Sequence, residues 1–265
     1  MYSLEKAIGI FNYFAATTLL DFLFYGMLAG GLWILFYEIR PAFFRTRKVV
    51  EKDPRQGQVA KEILQSVRSI VIFGFVTGLV VVFAYEGKTR LYLEVDRYGW
   101  TWFFASIILM IVIHDAYFYW THRLMHHRWL YSWVHSTHHH SVSPTPWAAY
   151  SFSPVEAFVQ AGIGPLIVFT LPTHPIAFGI FMSWQIAFNV FGHCGYEIFP
   201  GWFMKSRIDI LLNTVTHHSL HHEKYRSNFG LYFNLWDRVM STNDSVYVER
   251  FDLVTGEMKD ETASF

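Results

Sequence analysis

Five stretches of 15 to 17 residues contain no Lys, Arg, Asp, Glu or His: Phe22–Tyr37, Ser69–Tyr85, Tyr98–Ile113, Ala157–Leu171 and Ile176–Phe191. Overall, 52% of the residues are hydrophobic, 19% are aromatic and only 16% are charged. That balance belongs to a membrane protein rather than a soluble enzyme. Each stretch is shorter than the roughly 20 residues needed to cross a bilayer outright. Aromatic flanks such as Phe14, Tyr92 and Tyr117–Trp120 extend the first three into the interface, so those three are read as spanning helices. Gly162, Gly164, Pro165, Pro172 and Pro175 interrupt the last two, which read as a hairpin that either spans or enters and returns. Residues 1–16 lack a basic segment followed by an apolar core, so no cleavable signal is expected. The formal net charge is zero, which implies no broad attraction to nucleic acid.

The loop after the first stretch carries Arg40, Arg45, Arg47, Lys48, Lys52, Arg55, Lys61 and Arg68. By the positive-inside rule it is cytoplasmic. The second helix then leaves that face and the third returns to it, and a hairpin brings the chain back once more. Residues 122–140, His193 and residues 217–222 are therefore expected on one face, the cytoplasmic one.

All fourteen histidines lie between residues 114 and 222, most of them in spaced boxes. His122 and His126 form HxxxH; His135, His138 and His139 form HxxHH; His218, His221 and His222 form a second HxxHH; His193 stands four residues after Asn189. Positions i, i+3 and i+4 share a helix face, so each box can aim two or three imidazoles at one point. Imidazole is the commonest metal ligand and is neutral at pH 7. Nine such residues exceed the three or four that a single zinc site uses, and they suit two metals with positions left open. His114, His127, His140 and His174 fall off this spacing and read as ordinary interface residues, while His217 is ambiguous. Cys194 is the one cysteine, so thiolate ligation of zinc or an iron–sulfur cluster is disfavoured.

The runs HDAYFYWTHRLMHH (114–127), HSTHHHSVSPTPWAAYSFSPVE (135–156) and HHSLHHEKYRSNFGLYFNLWDR (217–238) resemble the fatty acid hydroxylase / sterol desaturase superfamily in order and spacing. Within it, the SPTPWA segment followed by FSPVE is most similar to sterol C-5 desaturases. The resemblance implies a membrane-bound, histidine-box diiron oxidase. Two iron ions, with zinc as a substitute in purified protein, would be held by His122, His126, His135, His138, His139, His193, His218, His221 and His222, with dioxygen as co-substrate. Three positions depart from relatives. Asn189 and Ser153 stand where some have His, and Ser241 stands where Gly is frequent.

Ligating imidazoles usually donate their other N–H to a carboxylate or carbonyl, which makes Asp115, Glu156, Asn189 and Asp237 candidates for orienting roles. No GxGxxG motif and no CxxC pair is present, so electrons must come from an external donor such as a ferredoxin or cytochrome b5. The expected fold is all-α, an integral membrane helical bundle with a cytoplasmic histidine-rich metal-binding cap. It forms one domain: residues 1–97 as helices and basic loop, 98–242 as the histidine-box region, 243–265 as a polar tail. The expected function is oxygen-dependent C–H oxidation of a membrane lipid, in the bacterial inner membrane or the endoplasmic reticulum. The substrate would reach the metals through an apolar tunnel bounded by the third helix and the hairpin. The alternatives are a fatty acid or other lipid hydroxylase of the same superfamily, and a non-catalytic zinc-binding membrane protein or carrier.

Overall fold

The computed structural model describes residues 4–39 and 41–256. Residues 1–3 of the N-terminal segment, Arg40 of the basic loop and residues 257–265 of the polar tail lie outside the described residues. Among those described there is no strand, only two isolated bridges. Four helices are long and apolar enough to cross a membrane. They are α1 (Leu4–Trp33, prolonged by a π-helical segment Ile34–Ile39), α2 (Gln58–Tyr85), α3 (Gly99–Met125) and, after several short helices, one at Pro175–Gly192. Their outward faces carry Phe11, Leu20, Met27, Phe75, Phe104 and Ile108, each more than half exposed. Apolar faces of that extent are stable in contact with lipid tails and not with water. The chain is an integral membrane protein.

The apolar segment between α3 and the last long helix is a broken helix, α4 (Pro154–Ala161) and α5 (Ile163–Thr170), followed by α6 (Pro175–Gly192). Its far end is tied to the α2–α3 loop. Arg90 N–H donates to Val168 O at 2.8 Å, Tyr92 N–H to Thr173 O at 3.1 Å and Thr173 N–H to Arg90 O at 3.2 Å. The segment thus runs the full depth of the bundle and α6 returns. His174, read from the sequence as an ordinary interface residue, has two bonds here. Its Nδ1 accepts from Ile176 N–H at the start of α6, and its Nε2 lies 2.9 Å from Leu93 O.

Two glycines of this segment differ sharply. A Cβ on Gly162 would lie 2.6 Å from Tyr117 Oη and 3.0 Å from Val159 O, the very pair joined by a hydrogen bond. A Cβ on Gly164 meets only Phe178, at 3.9 Å. Gly162→Ala is therefore expected to lower stability by about 1–3 kcal/mol, as overpacking does. Gly164→Ala should be tolerated. Thermal unfolding of the two variants in detergent checks this; equal melting temperatures would contradict it.

At the opposite end, side-chain caps start the two elements that follow the second box and the helix that bears the third. Thr145 accepts from Trp147 N–H, Ser153 from Glu156 N–H with Pro154 in the first turn, and Thr214 from His217 N–H at the start of α7 (Val215–Lys224). Ser241, where relatives often have glycine, has φ 54°, and Asn228 has φ 60°. Both lie in the left-handed region that glycine enters most cheaply. The basic loop packs on this same end: Val49 N–H donates to Gly195 O at 3.0 Å, and Arg47 donates to Phe199 O at 2.6 Å.

Candidate metal centre

All nine boxed histidines converge at this end, in two groups. His122, His126, His135, His139 and His221 form one; His138, His193, His218 and His222 form the other. Within each group the candidate ligand atoms lie within 4.8 Å of one another. The closest Nε2–Nε2 pairs are 3.0 Å for His122–His135, 3.1 Å for His126–His221 and 2.9 Å for His193–His218. Metal–imidazole bonds of about 2.1 Å place neighbouring nitrogens about 3.0 Å apart at right angles and about 3.4 Å apart in a tetrahedron. The spacing fits a shared cation.

The protonation pattern points the same way. His122 Nδ1–H donates to Phe229 O at 2.9 Å, His193 to Asn189 O at 2.7 Å, His221 to Ser227 O at 2.7 Å and His222 to Ser141 O at 3.0 Å. His135 Nδ1–H donates to the Glu156 carboxylate at 2.7 Å. Those neutral rings present Nε2 lone pairs to each other at about van der Waals contact, an arrangement that repels without a cation between them. Extra protons are disfavoured there. Burial, with the neighbouring imidazoles, holds His135, His138, His139, His218, His221 and His222 well below the ordinary imidazole range. Burial brings His193 down to about 4 and His126 to about 2.

This gives a pH dependence with a definite sign. The unfolded chain takes up protons at these histidines below about 6.5, while the folded chain refuses them until far lower. Each such group penalises folding by about 1.4 kcal/mol per pH unit in that window. Metal competes with the same protons. Stability and metal content are therefore expected to be constant above about pH 7 and to fall together as pH drops from about 6.5 toward 4. Titration of bound metal alongside unfolding checks this; metal retained unchanged at pH 4.5 would contradict it.

The four orienting candidates divide. Glu156, fully buried, bonds the His135 ring directly. Asn189 orients His193 through its backbone carbonyl, while its side chain donates to Ala149 O at 3.0 Å. Asp237 acts at one remove: its carboxylate accepts Phe229 N–H and Gly230 N–H, and Phe229 O in turn receives His122. Asp115 corrects the sequence expectation. Although buried on the same helix as His122, it accepts from Tyr232 N–H and Phe233 N–H and bonds no boxed imidazole. Backbone N–H groups of the 231–233 segment reach it first.

His217 lies outside both groups, fully buried with Nε2 3.3 Å from Asp237 Oδ2. His127 and His140 are exposed. His114 is buried and its Nδ1 lies 2.8 Å from Tyr232 Oη. Sequence spacing had no means of finding Glu197, whose carboxylate takes Thr216 N–H and Oγ1–H and so pins the start of α7. Nor did it single out Tyr131 and Tyr225, whose rings stand 5.9 and 4.8 Å from that of His139 and cover the five-histidine group.

A cavity lies inside the bundle beside these groups, with none of the nine boxed histidines on its wall. It encloses about 1050 Å³ of non-atom space, its open mouth included, and is walled mainly by α1, α2, α3, α5 and α6. Phe118, 4.9 Å from the His122 ring, and Phe152, 5.2 Å from the His138 ring, stand between it and the imidazoles.

A chain with this fold and this pair of histidine groups has known relatives. Residues 107–242 match the fatty acid hydroxylase family, and the chain belongs to it. It is 34% identical to a Delta(7)-sterol 5(6)-desaturase of Gibberella zeae over 80% of this chain and 65% of that protein. It is 30% identical to the lathosterol oxidase of Homo sapiens over 79% of this chain and 70% of that one. With the lathosterol oxidase of Rattus norvegicus it shares 31% identity, over 69% of this chain and 60% of the relative. The chain thus spans a little under two thirds of the first of these. No solved structure matches it.

Proposed function

We propose that this protein is an oxygen-dependent membrane lipid C–H oxidase of the sterol desaturase type, with two iron ions held by the five-histidine and four-histidine groups. The observation that carries the reading is the convergence of nine imidazoles, into two groups, beside an apolar cavity inside a membrane bundle. Names of the relatives, which are sterol desaturases and lathosterol oxidases, support the reaction class. Iron would supply the activation of dioxygen, which side chains alone cannot perform.

The chain's own residues do the rest. Carbonyls of Phe229, Asn189, Ser227 and Ser141 and the Glu156 carboxylate fix the rings in the tautomer that leaves Nε2 free. Phe118 and Phe152 keep water from the inner end of the cavity. Electrons come from an external donor such as a ferredoxin or cytochrome b5. The basic loop packs on the histidine end, which supports a cytoplasmic face for both. The zinc-carrier alternative needs ligands strung across the membrane. His114 and Asp115, its intramembrane pair, are instead committed to Tyr232 and the adjoining backbone.

The test is reconstitution. Iron-loaded protein with dioxygen, a ferredoxin or cytochrome b5 and a reductase is expected to convert lathosterol to a product lighter by two hydrogens. A product heavier by one oxygen would move the assignment to hydroxylation. Unchanged lipid extracts from cells with and without the gene, together with no turnover by metal-loaded protein, would overturn the oxidase reading.

A further inference from the structure

The cavity beside the histidines, parted from them by Phe118 and Phe152, is apolar along most of its wall but not all of it. Asp21 lines it from the middle of α1, a charge-bearing residue inside a spanning helix. A carboxyl group at that depth is costly and marks function by default. It makes no hydrogen bond or ion pair within the described residues. One helical turn on, Tyr25 stacks on Tyr150 with centroids 5.4 Å apart. Tyr150 Oη–H donates to Gln185 Oε1 at 2.7 Å, which leaves the Gln185 amide N–H groups and the Tyr150 lone pairs for a further partner. Asp21 is close enough to bear electrostatically on that hydroxyl. Gln160, on the same wall, also makes no bond within the described residues.

The wall holds no Lys or Arg among the described residues. Its basic group, His114, is engaged with Tyr232 Oη. A carboxylate or phosphate head would thus meet the Asp21 carboxylate and no cation, with only uncharged donors such as amide N–H groups to receive it. A neutral alcohol suits the patch: its O–H can donate to Asp21 and its oxygen can accept from Gln185. Gln185 and His193 are eight residues apart along the chain, about 12 Å at the helical rise, so one lipid can reach from this polar patch to the histidines.

We infer that Asp21, with Gln185 and Tyr150, is the anchor for the hydroxyl of a neutral lipid alcohol of sterol type, and that it selects against free fatty acids. The inference rests on the lipid-oxidase reading for its biological sense, but binding tests it separately from turnover. Equilibrium binding of radiolabelled lathosterol, its 3-deoxy counterpart and oleate to the purified full-length protein is the measurement. Lathosterol is expected to bind about 10-fold or more tightly than the 3-deoxy lipid, the margin of a hydrogen bond to a charged group. Oleate should compete poorly. Asp21→Leu should bring lathosterol down to the 3-deoxy level and leave the 3-deoxy lipid unchanged. Asp21→Asn, which keeps shape and one acceptor, should retain part of the margin. In turnover, Asp21→Leu should raise KM for lathosterol with iron content unchanged.

Wild-type protein that binds the two sterols equally, or oleate as well as lathosterol, would overturn the anchor. So would an Asp21→Leu variant that weakens both sterols alike. Selective binding of lathosterol without any turnover would instead count against the oxidase reading and leave the anchor standing.

Discussion

His138→Ala and His221→Ala are each expected to leave about one metal per chain and to abolish turnover, by at least about 100-fold, while the protein still inserts in the membrane. The two substitutions strike different groups. His138 belongs to the four-histidine group, with Nε2 3.2 Å from that of His193; His221 belongs to the five-histidine group, 3.1 Å from His126 and from His139. Loss of an orienting partner alone lowers metal affinity or activity by about 10–100-fold, so loss of a ligand should do at least as much. Three imidazoles remain after His138→Ala and four after His221→Ala. Metal should therefore leave more completely in the first variant. Chemistry that needs both irons stops in either case. Neither residue lies in a spanning helix, so insertion is untouched. Iron analysis and turnover on the same preparations decide the matter. Two irons retained in both variants, or residual turnover near wild type, would sink the two-group assignment.

The spacing of the boxes announced nine convergent imidazoles but not how they divide. His138 and His139 are neighbours in the chain, as are His221 and His222, yet each pair is split between the two groups. Successive residues on a helix point about 100° apart, so an HH pair splays toward two points rather than one. The apolar stretches likewise marked the spanning helices, because hydrophobic length is read directly from residues. The reach of Pro154–Thr170 was not legible. Its Gly and Pro residues announce a break, but only the hydrogen bonds from Arg90 and Tyr92 show that the broken helix goes the full distance. Orientation of the rings was half legible. Glu156 was found because carboxylates are the usual partners, whereas four rings are held by backbone carbonyls that any residue supplies. Asp115 was misjudged because helical periodicity specifies a face and says nothing about which donors from a distant segment will claim it.

Asp237→Ala is expected to have the largest effect on stability, about 3–5 kcal/mol, the loss typical of breaking a fully buried ionic network from one side. Asp237 is wholly buried. Oδ1 accepts from Phe229 N–H at 2.9 Å and Thr242 Oγ1–H at 2.6 Å; Oδ2 accepts from Gly230 N–H at 2.7 Å and faces His217 Nε2 at 3.3 Å. Burial works to raise this carboxyl, but His217, Thr242 and the Gly230 N–H together hold it below its ordinary value. Its contribution is thus present above the usual carboxylate range and is lost as pH falls through that range. Removing it strands those donors and frees the turn at 229–230, whose Phe229 carbonyl orients His122. The five-histidine group should then bind its metal about 10–100-fold less tightly, while the four-histidine group keeps its own. Asp237→Asn preserves the shape but replaces one acceptor with a donor, so a smaller loss of the same kind is expected. Unfolding of apo and iron-loaded protein, with iron counted at low and at saturating metal, separates the two effects. Iron content that recovers at saturating metal while the melting temperature stays low is the expected result. A variant with the melting temperature and iron affinity of the parent would show that the 229–230 turn holds its place without the carboxylate.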